Sequence, residues 1–237
     1  MENRNLEPHI KLATINHLID KNIIKKNNTI INEFNVGGYS RRVDLSIATD
    51  KYLYAFEIKS EYDSLYRLNG QIETYLKYFD KVFIVTTKKY INKVLLTTPP
   101  NVAIWEFNNG VISIIRKGKI NKVNKKDIML NMMNIDELKL LMKEEKIKSK
   151  DNKRKTLVEL SLNIPIYKIK EHMLKSIKKR YTSTSKKFIE KALIQKVDIE
   201  DLKLLSTKKR DSTNENKKTN TIHSEDINNY IKALNFL

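Results

Sequence analysis

The run KVFIVTT, residues 81–87, has almost no polar face, and a strand of that kind is stable only when both of its sides are covered. Just upstream, residues 64–79 place Leu65, Leu68, Ile72, Leu76 and Phe79 along one helical face, with Asp63 or Ser64 able to cap the N-terminus. Before that, YLYAFEIKS (52–60) is a second strand-like run, rich in aromatic and β-branched residues. A strand, an amphipathic helix and a buried strand in this order predict a βαβ unit, with its two strands parallel. The fold class is therefore α/β.

The flanks extend the same sheet. Residues 8–26 predict an amphipathic helix with Pro8 in its first turn, followed by extended segments at 29–34 and 42–48. Gly37-Gly38 and Asp50-Lys51 fall where turns are needed. A short helix near 88–96 leads to NVAIWEF and VISIIRK, joined as a hairpin through Asn108-Asn109-Gly110, and the apolar neighbours of Trp105 place it in a core. These elements predict a first domain over 1–120. Residues 121–206 predict a basic helical extension with breaks at Pro165 and at TSTS (182–185). A polar linker follows at 207–224, then a terminal helix at 225–237.

Charge and composition exclude several classes of function. There is no cysteine, and His9, His17, His172 and His223 are scattered, so thiolate zinc and histidine clusters are not expected. The five glycines have neither the Walker nor the dinucleotide spacing, so no nucleotide cofactor is expected. No stretch reaches the ~18 apolar residues of a membrane span and no signal-peptide run opens the chain, so a cytoplasmic protein with no membrane partner is expected. The net charge is +18, with 18 basic and 12 acidic residues in 1–120 against 28 and 16 in 121–237. A polyanion such as nucleic acid, DNA first, is the partner this suggests, although many lysines need only solvate a surface. Basic helical faces suit phosphate contacts, and a homodimer surface would look much the same.

Within this frame one hairpin carries chemistry. If Asp50-Lys51 is a two-residue turn, opposed residues have numbers summing to 101, so Leu45 faces Phe56, Asp44 faces Glu57 and Arg42 faces Lys59. One face then bears the charges, while Leu45, Ile47, Phe56 and Ile58 turn to the other. Opposed Cβ atoms lie about 4.5–5.5 Å apart, and two carboxylates so placed repel unless a cation bridges them. Two carboxylates with a backbone carbonyl such as that of Ile58 suit Mg²⁺ or Mn²⁺. Lys59 could then steady an attacking water or a charged phosphate, which points to phosphodiester hydrolysis. A slip of one residue would send the two acids to opposite faces.

Asp44, then Glu57-Ile58-Lys59, then Gln71 and Tyr75 on the next helix resemble the PD-(D/E)xK nuclease superfamily. The run RRVDL…EIKSEYDSLYRLNGQIETY…FDKVFIV is similar to a small bacterial and phage branch of it. The resemblance spans about residues 5–120, with the looseness usual for boundaries read from sequence. It implies a restriction-endonuclease-like αβββαβ core, with Asp44 and Glu57 as metal ligands, Lys59 as catalytic lysine, and Gln71 and Tyr75 near the nucleic-acid strand. Glu33 matches an upstream acid that many relatives carry on the first helix, and Val43 stands where the family motif has proline. Arg67 shares a helix flank with Gln71 and Tyr75, and Arg42 is placed to meet phosphate. A Mg²⁺-dependent nuclease acting on DNA is the implied function; the alternative is an inactive nuclease fold serving as a nucleic-acid-binding or protein-interaction module. Residues 135–162 also faintly resemble the SAP DNA-binding motif, for which an ordinary helical hairpin is the simpler reading.

Overall fold

In the computed structural model the described residues are 6–38 and 41–206, so the linker and terminal helix expected over 207–237 lie outside them. Helix α1 spans Glu7–Asp20 and stops six residues short of expectation. Asn22 takes a left-handed backbone conformation there, and the amide of Ile23 returns to the Leu18 carbonyl, which closes the helix end. Strands β1 (Thr29–Val36), β2 (Arg41–Ala48) and β3 (Leu53–Lys59) follow, then α2 (Leu68–Tyr78), β4 (Lys81–Thr87), α3 (Lys88–Thr97), β5 (Ala103–Asn108) and β6 (Val111–Arg116). Neither Asp63 nor Ser64 caps α2, because the Asp63 carboxylate instead accepts from the amide and hydroxyl of Ser60 at the end of β3.

The six strands form one mixed sheet in the order β1-β2-β3-β4-β5-β6. Strands β3, β4 and β5 run parallel, as their crossover helices require, and the pairs at both edges are antiparallel. The expected β5–β6 hairpin turns through Asn109 and Gly110, both at positive φ, the backbone that a two-residue loop of this hand needs.

Each sheet face is covered by its own apolar cluster. On one side Ile10, Ile15 and Leu18 of α1 pack over Leu45, Ile47, Phe56, Ile58, Phe83 and Trp105. On the other, Leu68, Ile72 and Tyr75 of α2 pack over Ala55, Val82 and Ile84. That second cluster also contains residues of α4 (Lys126–Asn131), α5 (Ile135–Glu144), α6 (Arg154–Ser161) and α7 (Ile166–Ala192). The chain does not part at residue 120: residues up to 206 form one compact unit, because the later helices cover a sheet face that α2 and α3 leave partly bare.

Helix α7 runs straight through TSTS, where a break is expected. The hydroxyls of Thr182 and Thr184 bond to the Lys178 and Tyr181 carbonyls of their own helix, and Ser185 is buried with its Oγ accepting from the Ile30 amide at 2.8 Å. The N-terminal half of α7 gives Ile169, Met173 and Ile177 to one cluster, and its C-terminal half gives Phe188 and Ile189 to the other. The helix thereby passes the β1 edge and takes up one of its backbone donors. Among the described residues no helix is long and apolar enough to cross a membrane.

Asp80, 1% exposed, fastens the helical region to the sheet. Its carboxylate accepts from the Leu53 amide at 2.9 Å, the Val123 amide at 3.1 Å and the Lys170 ammonium of α7 at 2.5 Å. Removing one partner of a buried ion pair costs about 3–5 kcal/mol, because the other charge is left unpaired. Asp80→Ala is therefore expected to destabilise by that amount in denaturant titration; a loss below about 1 kcal/mol, the range of exposed pairs, would refute the clamp.

Candidate functional site

The β2–β3 hairpin has the register expected from the sequence: Leu45 pairs with Phe56, Ser46 with Ala55, Ile47 with Tyr54 and Ala48 with Leu53. Thr49 explains why an Asp-Lys turn holds. Its Oγ accepts from the amides of Lys51 and Tyr52, at 3.2 and 2.9 Å, and so closes the loop from inside. The oily face is as expected, with Leu45, Ile47, Phe56 and Ile58 all under α1.

Beyond Leu45–Phe56 the backbone ladder ends and a side chain continues it, because Asp44 Oδ2 accepts from the Ile58 amide at 2.7 Å. At the same level the two outer strands change faces together. Leu45 packs under α1 but Val43 lies in the opposite cluster, and on β1 the same switch separates Ile30 from Phe34. Between Ile30 and Phe34, Glu33 stands at φ 61°, a left-handed conformation that is uncommon for a residue with a side chain. The twist frees Glu33 and Asp44 from the regular alternation.

Glu57 is 1% exposed and is held by three donors. Its Oε1 accepts from Lys59 Nζ at 2.7 Å and Gln71 Nε2 at 2.6 Å, and its Oε2 lies 2.9 Å from the Tyr75 hydroxyl. That hydroxyl is also 2.9 Å from the Arg42 carbonyl, so one proton serves both β2 and β3. The Oε1 of Gln71 is buried with no hydrogen-bond partner.

The electrostatics follow from burial. Desolvation first, and then the neighbouring Glu57 charge, push the Asp44 carboxyl up to about 8, against the downward pull of the Ile58 amide. Burial likewise raises Glu57, and its bonds to Lys59, Tyr75 and Gln71 resist without cancelling the rise. Burial pulls the Lys59 ammonium down, but the Glu57 charge and hydrogen bond, with help from Asp44 and Asp63, outweigh it and hold Lys59 above its ordinary value. Asp44, Glu57 and Lys59 thus form one coupled group.

Two expected contacts are corrected by this geometry. Tyr75 has no exposed surface and holds Glu57 and the Arg42 carbonyl, so it supports the acid from behind and cannot touch a nucleic-acid strand. Arg42 does not pair with Lys59, because the ladder stops short of it; its Nε meets Glu33 Oε2 at 2.6 Å, with the side chain mostly in solvent. Gln71 is half-buried and also turns toward Glu57, whereas Arg67 is exposed at the N-terminal end of α2. The Ile58 amide is committed to Asp44, and its side chain to the α1 side of the core.

Sequence reasoning missed Glu7. Glu7, Glu33 and Asp44 each place a carboxylate oxygen within 4.8 Å of the others, a set that could hold a metal ion. Glu7 opens α1 just before Pro8, where an acid looks like an ordinary partner for the helix dipole. The signal available was the resemblance itself, since many relatives carry an acid on their first helix.

Comparison with known proteins adds relatives. A family model described as Bacteriophage P4 protein cII matches residues 1–206. Protein cII of Enterobacteria phage P4 is 38% identical over 210 residues, covering 86% of this chain and 79% of that protein. Among solved structures, the SPO1766 protein of unknown function from Silicibacter pomeroyi aligns at 17% identity with a TM-score of 0.40, over 60% of this chain and 94% of its own.

The raised Asp44 carboxyl makes stability depend on pH. Its folded value near 8 lies above the ordinary 3.8, so the folded protein keeps a proton that the unfolded chain releases. Stability is thus fully present below the unfolded value and is lost as pH rises across that window. An asparagine in place of Asp44 would keep the acceptor for the Ile58 amide without the charge. In thermal melts with chelator, Asp44→Asn is expected to gain Tm over the wild type progressively from about pH 5 to 8; a gap that does not change with pH would contradict the coupling.

Proposed function

We propose that this chain, which belongs to the bacteriophage P4 protein cII family, is a metal-dependent nuclease that hydrolyses phosphodiester bonds, most readily those of DNA. The observation that carries this is the buried Glu57–Lys59 pair beside Asp44, two desolvated acids and an ammonium at the point where the β2–β3 ladder gives way. The element order α1-β1-β2-β3-α2-β4 supports a restriction-endonuclease-like αβββαβ core.

The donor set suits a hard divalent ion, Mg²⁺ or Mn²⁺, since it consists of carboxylates whose charge is already under strain from burial. Asp44 and Glu57 would hold the ion with the Ile58 carbonyl, and Glu33 and Glu7 border it. When bound, the ion would acidify a water and draw charge from the phosphate. Lys59 donates hydrogen bonds to an attacking oxygen or to the phosphate as negative charge builds there. Gln71 and Tyr75 fix the Glu57 carboxylate, so Lys59 is aimed by a group that does not itself move. Exposed Arg67 and the lysine-rich helices supply sequence-independent attraction for the phosphate backbone.

One observation favours a second reading, an inactive nuclease fold that only binds nucleic acid: Glu7 and Glu33 already have cationic partners in Lys11 and Arg42. Incubation of purified protein with linear, circular and single-stranded DNA, and with RNA, in Mg²⁺, Mn²⁺ or chelator separates the two. Metal-dependent products are expected, with Asp44→Asn and Lys59→Ala each reducing the rate by about 10²–10³-fold or more. Full cleavage by either folded variant would remove the assignment. Salt-sensitive DNA binding with no product under any metal would favour the second reading.

A further inference from the structure

Lys11 is an unusual residue to find against three acids. It lies on α1 one turn after Glu7, and its side chain is almost completely buried. Its ammonium is 3.1 Å from Glu7 Oε1 and 3.8 Å from Glu33 Oε1, and it donates to Asn32 Oδ1 at 2.8 Å. We propose that Lys11 takes the place of a second divalent cation, so that the site works with one metal ion and one fixed ammonium. This rests on the metal-dependent reading above and goes beyond it by assigning the number of ions and a role to Lys11.

Asp44 belongs to two groups of donors. On one side it adjoins Glu57, and on the other its carboxylate closes the triad with Glu7 and Glu33. Two-metal phosphodiesterases hold their ions about 3.5–4 Å apart with a carboxylate between them, so the triad is where a second ion would be expected. Here the Lys11 ammonium already lies against two of those three acids. Asn32 fixes it there as a neutral acceptor, which holds the ammonium without cancelling its charge. Arg42, the other cation near the triad, differs in kind: its side chain is 64% exposed and can leave Glu33 for solvent. Lys11 at 7% side-chain exposure has no comparable route to water, because α1 packs on the sheet behind it. A second divalent ion would have to share the acids with a charge of the same sign, and at such distances in a poorly hydrated site that repulsion is strong. The ammonium supplies positive charge and three donors toward the phosphate, but no coordination position.

The test counts bound metal in the full chain. Mn²⁺ titration followed by electron paramagnetic resonance and calorimetry is expected to find one ion per wild-type chain, with the signal of an isolated Mn²⁺. Lys11→Met and Lys11→Gln remove the charge, and each is expected to bind two ions with a spin-coupled signal; adding Glu7→Gln to either should return the count to one. Circular dichroism and melting temperature identify a variant that has not folded, and the glutamine variant preserves a polar contact to Asn32 if the methionine variant fails. Two coupled ions in the wild type would overturn the role of Lys11 and leave the metal-dependent reading standing, as would a count of one in both folded variants. No Mn²⁺ bound by the wild type would overturn both.

Discussion

A carboxylate near the end of β3 is withdrawn almost wholly from water, and the arrangement around it follows from that one demand. Leaving the Glu57 charge unpaired in such a place would be prohibitive, so the protein surrounds it with an ammonium, an amide and a phenol. Two of those donors are one turn apart on α2, which fixes how that helix lies on the sheet. The phenol also reaches the Arg42 carbonyl on β2, at the level where the strands no longer bond each other. The same contacts that make the acid tolerable therefore hold the sheet together where its ladder is interrupted.

That interruption is what gathers the other acids. A regular pleat would carry Glu33 and Asp44 along the same alternation as their apolar neighbours. By reversing faces at both strands together, the sheet keeps Phe34 and Val43 in the core and turns the polar residues between them toward the first turn of α1. A left-handed glutamate is a strained way to achieve this, and strain of that kind is tolerated where surrounding packing over-determines it.

Much of this was legible in the chain. The two-residue turn between β2 and β3 gives every opposed pair at once, and the alternation of oily and charged positions picks out the correct face. The βαβ unit and the last hairpin are equally local. What sequence spacing could not convey is long-range. Glu7 joins Asp44 only because α1 lies across the sheet, and no periodicity within α1 marks it. Tyr75 looked like a surface contact because its helix flank is polar in composition, yet Glu57 draws it inward. TSTS looked like a break because hydroxyl residues compete for backbone groups, whereas here two of them bond within their own helix and a third satisfies the β1 edge. The boundary at residue 120 was drawn from a change of charge, and charge reports the outer surface of the later helices, not the side that faces the sheet.

Helices α4 to α7 therefore have two audiences. Their lysine-bearing exteriors are free to drift with whatever polyanion they meet, but Leu130, Leu138, Leu157 and Ile169 sit in the same apolar assembly as Ala55 and Ile84. Descendants of such a chain could retune the outside of these helices residue by residue, yet could not trade them as a cassette without also rebuilding the floor beneath β3 and β4.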